Sequence, residues 1–444
     1  MKFLDIIIYS IYASISILCS PAILAWLMLE RLRPRAFRRP ASGKSLRVAY
    51  LSTDIWVGRT LGGPTSHKLG FCQGLMASGH LPIVLVSQPV PPLEGLVKDY
   101  HLLPAPRLPK GLPLTICVLA NNVLFTWRAY RILSKLKPDV VCHRHSKLNY
   151  AGLILARALG VPFVLEYNSP ASWKLNTQEA LPFLDRCVSR HFEYLNLTAA
   201  DRILVVSDVL RQRLVACGVQ PVKVAVNPNG ADAQLFRPDI DPSSVRKRLQ
   251  LDGKIVVGWA GTYGQYHGVE YLAKAARMIL ERRKDVRFLF VGYQKLVDIV
   301  SAIAEAEGIR SAMTFLTNVP HSEMPSYYAA CDILASPHIQ MADGSTFFGS
   351  PTKIFEYMAM GRPIVASGVG QLAELLKDRE NALLTRPGDV QDIANAILTL
   401  VGEPELRERL GRAARETCLS RCTWKHNADR FISAYRAVVE PVEC

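Results

Sequence analysis

The sequence predicts an α/β protein of two doubly wound domains that face one another across a cleft, preceded by a single membrane-crossing helix. Three observations carry this. From residue 46 onward, short apolar β-rich runs alternate with helical patterns, the signature of parallel strands joined by crossover helices. The alternation breaks once, at the Pro-, Asp- and Gly-rich stretch 227–244, and then resumes. Ahead of both series, residues 6–29 form a charge-free run of 24, longer than the roughly 20 residues a helix needs to cross a bilayer core. The boundaries that follow are an anchor and juxtamembrane segment at 1–45, a first domain at 46–226, a linker at 227–252, a second domain at 253–424, and a C-terminal helix at 425–444 that crosses back to the first domain.

At the amino terminus, Pro21 kinks a spanning helix without excluding it. A cleaved signal peptide competes, but the run exceeds the usual apolar region of about 7–15 residues and Lys2 is a meagre n-region. Arg31, Arg33, Arg35, Arg38, Arg39, Lys44 and Arg47 follow the run, against Lys2 ahead of it, so the positive-inside rule puts the bulk of the chain on the cytoplasmic face of the cell membrane. The net charge of +15 fits attraction to an anionic membrane surface or to phosphate-bearing substrates. No zinc-finger, basic-zipper or ribonucleoprotein pattern accompanies it, and no nucleic-acid partner is expected. The ten cysteines form no framework. Cys72, Cys117, Cys142, Cys187, Cys217 and Cys331 are scattered through apolar or helical contexts, as buried thiols are, and Cys418 and Cys422 lack the neighbours of a metal site.

The first series of strands is expected at 47–52, 82–87, 139–143, 162–167, 202–207 and 223–228. The second is expected at 254–261, 287–292, 313–317, 332–337 and 362–367. Two such domains place a ligand cleft at the carboxyl ends of their strands.

The stretch 343–367 carries the sharpest chemistry. Ser350 reads as an N-cap and Pro351 as the first residue of a helix about three turns long, with Gly361 just past its end. Gly344 and Gly349 leave a loop whose backbone N–H groups, with those of the first turn through Thr352, converge on an anion. Lys353, at the third helical position, sits where the helix dipole disfavours a cation, unless an anion lies between them. Glu356, one turn deeper on the same face, is placed to accept hydrogen bonds from a ribose or sugar. The plain alternative is a solvated Lys–Glu pair. Elsewhere, Gly62 and Gly63 precede a helix after the first strand, and Gly258, Gly261, Gly264 and Gly268 surround His267 after the first strand of the second series. The GVGQLA run at 368–373 matches the dinucleotide fingerprint but comes late in its domain, where that fingerprint does not belong. Asp239 and Asp241 form a D-x-D string that reads as a solvated turn.

Taken together, these residues resemble the family-4 glycosyltransferases, retaining enzymes with the GT-B fold. The resemblance covers roughly residues 46–437. Its most specific parts are ADRILVVSDVLRQRL at 200–214, PNGADAQLFRP at 228–238 and SPTKIFEYMAMGRPIVAS at 350–367, while 139–170 is similar to a bacterial subgroup that builds surface polysaccharides. It implies a nucleotide-diphosphate sugar held mainly by the second domain, through Gly261, Thr262, Gly349, Ser350, Pro351, Thr352, Lys353 and Glu356, with Glu356 on the donor ribose. Gly62 and Gly63 correspond to the glycine loop near the donor phosphates. Arg144, His143 and Asn168 fall where the subgroup has polar residues facing the cleft. No cofactor and no metal are implied; the polybasic anchor, by its location, leads to the expectation of a lipid-linked saccharide or polysaccharide precursor as acceptor.

Two departures matter. Eight residues before Glu356, where the family often has a glutamate for the transferred sugar, stands Phe348. The positions aligned with the family's loop Arg and Lys are Thr262 and His267. Lys353, helped by Arg144, His143 or His267, is therefore expected to carry the cationic role. A catalytically silent subunit of a polysaccharide assembly complex, or a nucleotide-sugar epimerase of the same fold, stays open at this point.

Overall fold

The computed structural model describes residues 37, 45–55, 62–105, 114–146, 148–170, 183–262 and 264–440. Two parallel sheets dominate them. The first comprises β1 (Arg47–Ser52), β2 (Leu81–Val86), β3 (Asp99–Leu102), β4 (Val140–Arg144), β5 (Phe163–Tyr167), β6 (Arg202–Val205) and β7 (Val224–Val226), in the order β3-β2-β1-β4-β5-β6-β7. The second comprises β8 (Ile255–Ala260), β9 (Val286–Gly292), β10 (Met313–Thr317), β11 (Ile333–Ser336), β12 (Ile364–Ser367) and β13 (Leu383–Thr385), in the order β10-β9-β8-β11-β12-β13. Most residues of β1, β2 and β8 are buried without alternation, as parallel strands covered by helices on both faces must be. In each sheet the strand order reverses beside the first strand, where β1 meets β4 and β8 meets β11. Such switch points open a crevice at the carboxyl ends of the strands.

Two strands escape sequence reasoning. β3 is a short edge strand of half-buried Asp99, Tyr100 and His101, and β13 is three residues long. Neither offers an apolar run.

The two sheets are tied together closely. Residues 227–252 carry a short helix, Ser243–Arg248, whose Arg246 donates to the carbonyls of Ala330 and Leu251. Ala231 exchanges backbone hydrogen bonds with the chain entering helix Trp424–Val439, from Ala231 N to Cys422 O and from Trp424 N to Ala231 O. That helix packs on helix Gly63–Ala77 and β6 of the first sheet. Gly70 and Gly74 allow it. A Cβ on Gly70 would lie 2.0 Å from the Trp424 ring, and one on Gly74 would lie 2.1 Å from the Trp424 carbonyl oxygen.

The expected membrane-crossing helix is corrected. Among the described residues no helix is long and apolar enough to cross a membrane, and residues 6–29 lie outside the described residues. The fold is two Rossmann-like sheets in a GT-B-like arrangement, and the single-pass topology with its cytoplasmic-face placement is not kept.

Candidate active site

The helix at the centre of the site is Thr352–Ala359, eight residues and so about two turns rather than three. Pro351, not Ser350, is its N-cap, with extended backbone. Asn229 explains the displacement. Its backbone N–H donates to the Ser350 hydroxyl at 3.1 Å and its side-chain amide to the Ser350 carbonyl at 2.5 Å, so Ser350 is held outside the helix. Gly361 ends the segment with φ +63°, a left-handed position that suits glycine.

Lys353 is thus the second helical residue, still inside the positive first turn. It is 6% exposed, and its Nζ lies 4.0 Å from the centroid of the Trp259 ring on β8 with no hydrogen-bond partner among the described residues. Burial pushes its pKa down to about 7, against the opposing pull of the Glu356 charge. Gly261 keeps the approach open, because a Cβ there would lie 2.9 Å from the ammonium nitrogen. A buried cation at a helix N-terminus, stacked on an indole and otherwise unpaired, is a socket for an anion.

One turn deeper, Glu356 is held at both oxygens. His321 Nε2 lies 3.1 Å from Oε1 and the Tyr328 hydroxyl donates to Oε2 at 2.9 Å. Burial works against the charge of His321, but the hydrogen bond and charge of Glu356 carry its pKa above the ordinary value.

The first sheet supplies the opposite wall. Gly62, at φ +92°, leads into helix Gly63–Ala77. Arg144 and Glu166 are register partners at the ends of β4 and β5, and Arg144 Nη1 meets Glu166 Oε1 at 2.5 Å. Asn168 donates to the same oxygen, and His67 Nε2 approaches it at 2.9 Å. Burial alone would raise the pKa of Glu166, but His67 and Arg144 bring it down to about 2. His67 Nδ1 in turn lies 2.6 Å from Asn229 Oδ1. A continuous polar chain therefore runs from Arg144 through Glu166, His67 and Asn229 to Ser350, joining the first sheet to the loop ahead of Lys353. The two walls enclose a cleft of about 390 Å³.

Solved structures share the two-sheet fold. A glycosyltransferase of Rickettsia africae superposes with a TM-score of 0.68 at 17% identity, over 89% of this chain and 99% of its own. HepE of Anabaena in complex with UDP-glucose gives 0.67 at 18%, over 88% and 100%. At these identities the likeness is one of fold. In sequence, the family described as Glycosyltransferase Family 4 matches residues 61–235 and Glycosyl transferases group 1 matches 254–403, one on each sheet. A D-inositol 3-phosphate glycosyltransferase of Stackebrandtia nassauensis is 29% identical over 370 residues, 79% of each chain. A GDP-mannose-dependent alpha-mannosyltransferase of Mycobacterium tuberculosis is 28% identical over 376 residues, 82% of this chain and 90% of its own.

The chain is a glycosyltransferase. It is a GT-B enzyme related to the family-4 and group-1 enzymes, and it takes its sugar from a nucleotide-sugar donor.

Of the site residues expected from the glycosyltransferase sequence, Gly62, Gly63, Arg144, Asn168, Gly261, Thr262, His267 and the run from Phe348 through Lys353, with Glu356, all line the cleft. His143 does not. It is packed under the end of β4, where its Nδ1 accepts from Gly152 N at 2.9 Å and its Nε2 meets the Asn149 amide, and burial drives its pKa down to about 3. His267 lines the cleft but is no cation: burial first, then Lys353 and His338, push its pKa well below the ordinary value. Arg144 is matched by Glu166. Among the described residues lining the cleft, Lys353 is left as the cation without a hydrogen-bonding protein partner.

His67, Glu166, Asn229, Trp259, His321 and Tyr328 escaped sequence reasoning. Glu166 was within reach, since it lies two residues before Asn168 on the strand side of the cleft. The GVGQLA run proves to be a packing turn: Gly370 sits at φ +51°, and a Cβ there would lie 2.0 Å from the Phe347 carbonyl oxygen.

Proposed function

We propose that the enzyme seats the diphosphate of a nucleotide-diphosphate sugar at the start of helix Thr352–Ala359 and uses Lys353 to hold the charge of the leaving group. The observation that carries this is the buried, unpartnered Lys353 ammonium beside a helix N-terminus. As the bond from the anomeric carbon to the phosphate oxygen breaks, its electron pair goes to that oxygen. The Lys353 ammonium and the first-turn N–H groups stabilise charge that develops there, which is usually the largest catalytic contribution. The acceptor hydroxyl oxygen bonds the anomeric carbon, and its proton passes to the departing phosphate. Retention of configuration is supported by the resemblance to family-4 enzymes.

Glu356, oriented by Tyr328 and His321, is the group for the donor ribose. The acceptor, a saccharide or lipid-linked saccharide hydroxyl, enters on the side of Arg144 and Asn168. Phe348 is the sugar-selecting position. It is 4% exposed, and its carbonyl accepts at 2.6 Å from Ser207, the N-cap of the helix that follows β6.

Lys353→Ala should lower kcat by roughly 10²–10³-fold, the cost of losing one preorganised donor to a developing anion. Steady-state kinetics with the donor sugar read this directly, and an unchanged kcat contradicts the assignment. Because one relative is named for GDP-mannose, GDP sugars belong in the donor panel beside UDP, ADP and dTDP sugars.

A further inference from the structure

Behind the Lys353 socket lies a pair of histidines that the transfer reaction as described does not use. His267 Nδ1 lies 3.1 Å from His338 Nε2, and His338 Nδ1 lies 3.0 Å from the Ser336 hydroxyl. Ser336 and His338 are fully buried, and His267 is 9% exposed at the cleft wall. The backbone forces the arrangement. Gly268, at φ +62°, brings the loop after β8 so close to the end of β11 that a Cβ there would lie 1.8 Å from the Pro337 carbonyl oxygen. Ile339 N donates to the Tyr266 carbonyl at 3.1 Å, and His338 N to the Ser336 carbonyl at 2.9 Å, which pins both rings.

The hydrogen-bond direction follows from one end. The Ser336 hydroxyl is buried and lies 3.0 Å from His338 Nδ1, nearer than the Ser336 carbonyl oxygen, which lies 3.5 Å from the same nitrogen. An unmade O–H donor costs more than an unused lone pair, so the hydroxyl donates and Nδ1 accepts. His338 then carries its proton on Nε2 and donates to His267 Nδ1. His267 is left with its proton on Nε2, the nitrogen without a partner among the described residues. Burial first and the Lys353 charge next push the pKa of each ring well below the ordinary value, against a smaller opposing contribution from the Ser336 backbone at His338.

We propose that His338 is a positioning residue that, together with Ser336, fixes His267 as a neutral Nε2–H donor to the diphosphate of the sugar donor. This rests on the placement of that diphosphate beside Lys353. A neutral donor suits a site where Lys353 already supplies the cation. The opposite tautomer would turn a lone pair toward the anion.

The test uses the full chain labelled with ¹⁵N-histidine, with inorganic pyrophosphate as probe and a His267→Asn variant to assign the signal. Imidazole ¹⁵N–¹H correlation spectra should show His267 as the Nε2–H tautomer, and pyrophosphate should shift that signal. His338→Phe should give a mixture of tautomers and lower kcat by up to about 10²-fold, the scale of one lost preorganised donor. His338→Gln, whose amide can still donate to Nδ1, should restore the tautomer and most of kcat. An Nδ1–H tautomer in the wild type overturns the proposal, and so does a His338→Phe spectrum identical to wild type. If pyrophosphate raises the melting temperature of the wild type but not of Lys353→Ala, and yet leaves the His267 signal unmoved, the Lys353 site stands and the His267 role falls. The wild-type spectrum decides the matter even if His338→Phe does not fold.

Discussion

Lys353 sets a conflict at the scale of one residue: a cation is buried at the positive end of a helix with nothing on its ammonium but an indole face. With its pKa lowered to about 7, the ammonium is charged below that pH and loses its proton above it. An anionic donor binds the protonated form, so donor affinity should fall as pH rises above about 7, by up to about tenfold per unit through proton linkage. A Kd independent of pH across that range contradicts this. The same group weakens the fold. In the unfolded chain it keeps its proton up to about 10.5, so stability rises with pH between about 7 and 10.5, and the penalty is full below about 7. Lys353→Met should therefore melt higher than wild type, most clearly below pH 7, while losing donor binding; a lower melting temperature would count against the buried-cation account. The conflict with the helix dipole was legible in the sequence. The Trp259 face beneath the ammonium was not, because it comes from a strand almost a hundred residues away, and neither was the burial that silences His143 and His267 as cations.

Secondary-structure elements bring the polar chain together. Glu166 at the end of β5 compensates Arg144 on β4 and His67 on helix Gly63–Ala77. Glu166→Gln leaves buried positive charge uncompensated and should cost about 3–5 kcal/mol in urea unfolding, as breaking a buried ion pair does; a loss within ±0.5 kcal/mol, the size of an ordinary surface substitution, contradicts the pairing. Helix packing makes a separate prediction. Gly74→Ala pushes a methyl group into the Trp424 backbone and should lower the melting temperature, with helix Trp424–Val439 losing amide protection first. The central strands were legible to within a residue or two because parallel strands buried on both faces are unbroken apolar runs. The start of the Lys353 helix was not, because a distant Asn229 takes the Ser350 hydroxyl that capping rules assign to the helix.

Across the whole molecule, the two switch points face each other, and each wall is incomplete alone. The second sheet offers the Lys353 ammonium at a helix start and the Glu356 carboxylate proposed for the ribose, and the first offers Gly62 and the Arg144–Glu166–His67 cluster. Asn229, in a stretch that reads as a linker, hydrogen-bonds both sides. The alternation of strands and helices was enough to give the two-sheet architecture, since it depends on local periodicity. The cross-cleft chain depends on register between distant segments, which periodicity does not carry. The charge-free run at 6–29 met the length criterion for a membrane span, but among the described residues no helix is both long and apolar enough to cross a membrane. The central claim is that Lys353 grips the donor's diphosphate, and equilibrium binding below pH 7 tests it most directly, by titrating UDP, GDP, ADP and dTDP sugars into wild type and Lys353→Met. At least one nucleotide class should bind wild type, with affinity in the variant lower by roughly 10²-fold or more, the scale of one lost charge-assisted contact in a dry site. Equal affinity for both proteins would contradict the account.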